Sequence, residues 1–167
     1  MHLIIDGYNL LHVDRSLTHL NSIQLQWERE RLIDRLSAYQ KLKHCEMTVV
    51  FDGWQEGWSN ETREKRKGIE VIFSRLGEKA DEVIKRLAKE KGSGAVVITS
   101  DREVARYAER MDVAVIPSDQ FREKLEERSS SVGEESPEEE EKGMKKKGPS
   151  RTLSKKEKRK RAASRKL

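Results

Sequence analysis

Apolar positions in the first 125 residues alternate between two patterns. Short unbroken runs recur at Leu3-Ile4-Ile5, Met47-Thr48-Val49-Val50-Phe51, residues 69–73, 95–100 and 113–116. Runs of three to six residues without polar alternation predict strands buried on both faces. Between them the spacing turns helical. Over residues 22–43, Leu25, Leu32, Leu36 and Tyr39 share one face, broadened by Ile23, Trp27 and Ile33, with Asn21 or Ser22 placed to cap the start. Over about 78–91, Ala80, Val83, Ile84, Leu87 and Ala88 repeat the pattern, and Gly92 and Gly94 end it. A third helix carries Val104, Tyr107, Ala108 and Met111, with Ser100 and Glu103 at the spacing of a capping box. Pro117 stops the fifth strand, and Ser118 is placed to cap a last helix bearing Phe121 and Leu125. Residues 54–68 lack periodicity and read as an exposed loop.

Strands alternating with helices predict an α/β fold, a parallel sheet of about five strands with helices on both faces. Right-handed connections and a central first strand favour the order 3-2-1-4-5. Charge then divides the chain. Residues 1–122 hold 20 basic and 20 acidic residues, residues 123–141 hold 2 and 9, and residues 142–167 hold 13 and 1. The overall charge of +5 thus describes no part of the protein. The expected organisation is a folded domain over 1–125, an acidic linker over 126–141 and a basic, disordered tail over 142–167. Cys45, the only cysteine, excludes an intrachain disulfide, and four scattered histidines show no zinc-ligand spacing. No basic stretch leads into a long apolar one, and no run approaches a membrane span, so a cytoplasmic location without membrane attachment is expected.

Three of the predicted strands end in aspartate: Asp6, Asp52 and Asp101. In a parallel sheet those ends share one rim, and Asp81, in the first turn of the second helix, starts from the same rim. Each aspartate alone also suits a turn or the positive end of a helix. Their conjunction on one rim is harder to ascribe to turns, since open α/β sheets bind ligands there. Four packed carboxylates repel, and an all-oxygen donor set suits Mg²⁺ or Mn²⁺.

The stretches Asp6-Gly7-Tyr8-Asn9, Val50-Phe51-Asp52, Lys79-Ala80-Asp81-Glu82-Val83-Ile84 and Thr99-Ser100-Asp101-Arg102 resemble the NYN domain, in its bacterial YacP-like branch of the PIN-like nuclease superfamily. The resemblance covers roughly residues 1–125. It implies a three-layer αβα PIN-like fold and metal-dependent RNA cleavage, with an endonucleolytic mode favoured. It also implies metal-ligand positions for Asp6, Asp81 and Asp101 and an accompanying polar one for Asn9. Many PIN-like nucleases have a further acid soon after the last strand-end aspartate. Ala105 lies one helical turn beyond Asp101, so that acid falls to Asp52 or Asp119, or is absent.

RNA is the expected partner. Arg63, Lys65, Arg66 and Lys67 follow Trp54 and Trp58 in the predicted loop, a combination suited to phosphate contacts and base stacking. Arg102 stands beside the aspartates, placed to meet a phosphate or a nearby helix carboxylate. The basic tail suits RNA, the ribosome or another ribonucleoprotein surface, or else folds onto the acidic residues 138–141. A catalytically silent RNA-binding module is the alternative function. A phosphatase with a second aspartate two residues after the first is excluded by Tyr8, and dinucleotide binding by the lack of G-x-G-x-x-G after the first strand.

Overall fold

In the computed structural model, residues 1–14, 17, 19–53 and 59–130 are described, Asp14 and residues 128–130 by their backbone alone. The chain forms β1 (His2–Asp6), α1 (Gly7–Asp14), α2 (Ser22–Lys43), β2 (Glu46–Phe51), β3 (Thr62–Arg66), β4 (Ile69–Phe73), α3 (Ala80–Lys91), β5 (Ala95–Ile98), α4 (Arg102–Arg110), β6 (Ala114–Ile116) and α5 (Ser118–Ser130). One mixed sheet runs in the order β3-β4-β2-β1-β5-β6. All its pairings are parallel except β3 with β4.

The five predicted strands therefore take the predicted order, with β1 at the centre, and the fold is the expected three-layer α/β arrangement. Alternation of side chains across the sheet builds two cores. Leu3, Ile5, Val49, Phe51 and Ile98 pack under α1, α2 and α5. Ile4, Val50, Ile72 and Val97 pack under α3 and α4. Strands sandwiched in this way need apolar residues at every position, which is why they show no polar alternation.

Four local readings need correction. First, residues 62–66 are not loop but the antiparallel edge strand β3. Only one side of this strand is hydrogen-bonded and its five residues are Thr-Arg-Glu-Lys-Arg, so the apolar signal of a strand is missing; charge on an edge also discourages pairing with other chains. Second, the turn after Asp6 is the helix α1, which starts at Gly7 without an intervening loop. Third, Ile23 and Trp27 do not widen the buried face of α2: they are 62% and 64% exposed, whereas Leu25, Leu32, Ile33, Leu36 and Tyr39 are buried. Fourth, α4 is capped by Asp101, not by Ser100. The Asn21 cap of α2 is present as a full capping box with Gln24. The expected boundary at residue 125 falls inside α5, and the basic tail, with Trp54 and Trp58, lies outside the described residues.

Close backbone packing holds the rim where β2 ends. A Cβ on Gly53 would stand 1.9 Å from the Ser74 carbonyl oxygen, a backbone atom that cannot rotate away. The Gly53 N–H donates to Ser74 Oγ at 3.1 Å, and the Ser74 N–H to the Phe51 carbonyl at 3.0 Å. We predict that Gly53→Ala lowers stability by about 1–3 kcal/mol through overpacking. Gly94→Ala, where a Cβ meets nothing within 4 Å, serves as the neutral control in urea unfolding. Equal midpoints for the two variants would contradict this packing.

Candidate functional site at the carboxylate rim

The C-terminal ends of β1, β2 and β5 and the start of α3 bring Asp6, Asp52, Asp81 and Asp101 to one edge of the sheet. Each aspartate is held differently. Asp6, 7% exposed, accepts the Asn9 N–H on Oδ1 and the Thr99 hydroxyl on Oδ2, both at 3.1 Å. The first bond serves as the N-cap of α1, which explains how a helix follows the strand so abruptly. Asp52 Oδ1 accepts the Ala80 N–H at 2.7 Å, tying the end of β2 to the first turn of α3. Asp101 Oδ1 accepts the N–H groups of Glu103 and Val104 at 2.7 and 3.0 Å. The turn and helix-end roles are thus real for three of the four. They do not exhaust the carboxylates, because Asp52 and Asp101 each keep Oδ2 without a donor among the described residues. Asp81 accepts no hydrogen bond at all among them.

Electrostatics separates this rim from a set of ordinary caps. Burial pushes Asp6 up to about 6, against the partial relief of its two hydrogen bonds, and the charges of Asp81 and Asp52 push the same way. Asp81 is also raised, by burial first and then by Asp101 and Asp52, with Lys85 and Lys79 opposing. The charges of Asp81 and Asp52 thus act on Asp6, and those of Asp101 and Asp52 on Asp81. Asp119 is exposed in the first turn of α5 and is not among the groups that raise Asp6 or Asp81. As the side chains stand, no three His, Cys, Asp or Glu among the described residues are grouped to hold a metal ion.

A second hydrogen-bond network locks Asn9. Its Oδ1 accepts the Ser100 backbone N–H at 2.9 Å and the Ser118 hydroxyl at 2.7 Å, and the Ser118 N–H donates to Ser100 Oγ at 3.0 Å. A backbone N–H can only donate, so the oxygen of the amide must face Ser100, and the side-chain NH₂ is turned the other way. That NH₂ has no acceptor among the described residues. Asn9 reaches Asp6 through its backbone rather than its side chain. Ser118, fully buried, has an evident role only in the fold: from the sequence it reads as a cap for its own helix, since nothing local reveals a partner 109 residues away.

Elsewhere the sequence candidates scatter. Arg63 pairs with Glu61 and Glu70, Arg66 with Glu30 and Glu64, and Lys67 with Asp34. Because β3 runs antiparallel to β4, pairing Arg66 with Ile69 puts it and Lys67 at the end of the sheet away from the aspartates. Lys65 is exposed on the same strand. Arg102 is exposed immediately after Asp101 and has no carboxylate partner among the described residues.

A central, largely parallel sheet with aspartates gathered at one rim defines the class as an α/β domain with its candidate site at the strand ends. The chain belongs to the YacP-like NYN domain family, whose model matches residues 3–166. It is 32% identical over 102 residues to the uncharacterized protein YacP of Bacillus subtilis (strain 168), and the match spans 59% of each protein. The crystal structure of Rae1 (YacP) from Bacillus subtilis superposes with a TM-score of 0.59 at 26% identity, covering 79% of each chain. A Trp-to-Leu mutant of that protein gives a TM-score of 0.62 at 25% identity, covering 78% of this chain and 79% of that one.

The raised Asp6 fixes the sign of a pH effect. Its stabilising contribution is fully present below the unfolded value of 3.8 and is lost as pH rises through about 6. In chelator, Asp6→Asn should therefore gain stability over the wild type between pH 4 and pH 7. The gain is at most about 3 kcal/mol, at roughly 1.4 kcal/mol for each pH unit separating the folded and unfolded values. Urea unfolding at both pH values measures the difference; an offset independent of pH would refute the buried, raised carboxylate.

Proposed function

We propose that this protein is a metal-dependent ribonuclease of the endonucleolytic kind, hydrolysing RNA phosphodiesters at the Asp6, Asp52, Asp81 and Asp101 rim. The observation that carries the reading is the convergence of these carboxylates on one rim, where burial of Asp6 and partial burial of Asp81, together with the charges of their neighbours, raise both above their ordinary range. A bare carboxylate cluster is electrostatically costly, and a hard divalent cation offsets that cost. Membership of the YacP-like NYN family supports the same reading.

The donor set fits Mg²⁺ or Mn²⁺ in kind, since all its donors are carboxylate oxygens and Asp52, Asp81 and Asp101 retain oxygens without donors among the described residues. Such a cation, when bound, supplies an activated water and charge stabilisation at the phosphate. The chain's own contributions follow from its geometry. Asp6 anchors the site from the buried centre of the sheet, held by Thr99 and by the start of α1. Asp81 also gains from a cation, being half-buried without a described donor and raised by the charges of Asp101 and Asp52. The NH₂ of Asn9, aimed away from Ser100 and Ser118, is available to donate to a phosphate oxygen. No membrane-spanning helix occurs among the described residues, and we place the protein's action on cytoplasmic RNA.

Two measurements test the proposal. Mg²⁺ or Mn²⁺ should raise the melting temperature of the wild type at pH 7 but not that of Asp81→Asn, because the cation relieves a repulsion the variant lacks. Single-stranded and structured RNA should be cleaved in either metal, and EDTA, Asp81→Asn or Asp101→Asn should lower the rate by at least about a hundredfold, the scale of losing a charge-stabilising group. Full activity in both variants would sink the metal site; RNA binding without turnover in any metal would favour the silent module.

A further inference from the structure

We propose that the outer face of α4 is the track along which the phosphate backbone of the bound RNA strand lies as it leaves the aspartate rim. This rests on the reading of the rim as an RNA-processing site. Arg102, Arg106 and Arg110 sit four residues apart and are all exposed, so they form one stripe down the helix. Successive members are about 6 Å apart along the axis, a step comparable to the separation of neighbouring phosphates on a nucleic acid strand. The stripe begins one residue after Asp101 and borders an open groove of about 730 Å³ together with Glu103 and Glu109.

What sets these arginines apart is that none of the three has a carboxylate partner among the described residues. Every other arginine with a described side chain lies against a carboxylate, or in the case of Arg29 against the Tyr8 hydroxyl and the Phe73 ring. Among the described residues, Arg102 and Arg106 have no such partner, and Arg110 has only the face of Tyr107, 5.9 Å from the ring centroid. Of the two acids of the groove, Glu103 is held by Lys85, and among the described residues no ion pair joins Glu109 to any of the three arginines. A row of planar donors without internal acceptors suits bidentate contact with phosphate oxygens. Placed beside a cluster of anions that repels RNA, it also supplies the attraction needed to bring the strand there.

The test uses the full chain carrying Arg106→Gln with Arg110→Gln, set against Arg106→Lys with Arg110→Lys, which keeps the charge, and Lys89→Gln with Lys91→Gln, which removes equal charge from the far end of α3. Binding of a labelled single-stranded RNA is measured in EDTA across a salt series. The glutamine pair on α4 should weaken binding and reduce the salt slope by about 1.4, near 0.7 for each phosphate no longer neutralised. The lysine pair should largely restore both, and the α3 pair should match the wild type. With metal, the α4 glutamine pair should raise KM and leave kcat unchanged.

Wild-type affinity and slope in the α4 glutamine pair would overturn the track, even if the protein cleaves RNA. Loss of RNA binding in that pair, with no cleavage by the wild type in any metal, would uphold the track and remove the nuclease reading. Undiminished RNA binding with lost capture of polyglutamate would overturn the track and assign the face to an acidic protein.

Discussion

Everything at the rim depends on keeping the Asp6 carboxylate buried at the end of the central strand. Burial alone would drive it to the neutral form or out of the core. Two hydrogen bonds hold it, one from the first turn of α1 and one from Thr99. The same Thr99 hydroxyl accepts the Asp101 backbone N–H at 3.1 Å, so one side chain ties the Asp6 carboxylate to the backbone that follows β5. Asp6 is therefore both a helix cap and the electrostatic centre of the rim, and these roles reinforce each other. The bond that starts α1 also fixes where the charge points.

Around that centre, long-range polar contacts replace ordinary loop structure. Asn9 joins α1 to the ends of β5 and β6 through Ser100 and Ser118, and Asp52 joins β2 to α3 across 28 residues. Gly53 completes the arrangement, because only a residue without Cβ lets the chain pass so close to Ser74. The rim is thus rigid by construction, with short connections whose side chains are already committed to one another. Rigidity of this kind holds like charges together that would otherwise separate, and it makes the rim responsive to whatever neutralises them.

Much of the fold was legible because burial on both faces leaves a strong mark. The runs at β1, β2, β4, β5 and β6 and the stripes of α2 and α3 could be read locally, and their order followed from the rules of parallel connection. The edge strand β3 was not legible, since a strand buried on neither face need not be apolar. Exposure of Ile23 and Trp27 was equally hidden, because periodicity shows which residues share a face but not how wide the covering layer is. At the rim, the aspartates could be found from strand ends, whereas the role of Ser118 required knowing which helix start meets which strand end.

The basic residues show most clearly where a local reading fails. Arg63, Arg66 and Lys67 form the densest cationic stretch of the folded domain, yet their charges are answered by Glu30, Asp34, Glu61, Glu64 and Glu70, some of them distant in sequence. Arg102, Arg106 and Arg110 do not stand out in the sequence, because glutamates are interspersed among them. In the fold Glu103 is held by Lys85, and among the described residues none of the three arginines has a carboxylate partner. Availability for a polyanion is a property of the unpaired charge, not of the charge density along the chain. In a domain whose acids and bases are equal in number, the informative residues are those without an oppositely charged partner among the described residues: carboxylates gathered at the rim, and arginines in a line leading away from it. On the proposed reading a single strand of RNA answers both, its phosphates meeting the arginines directly and the aspartates through a divalent cation.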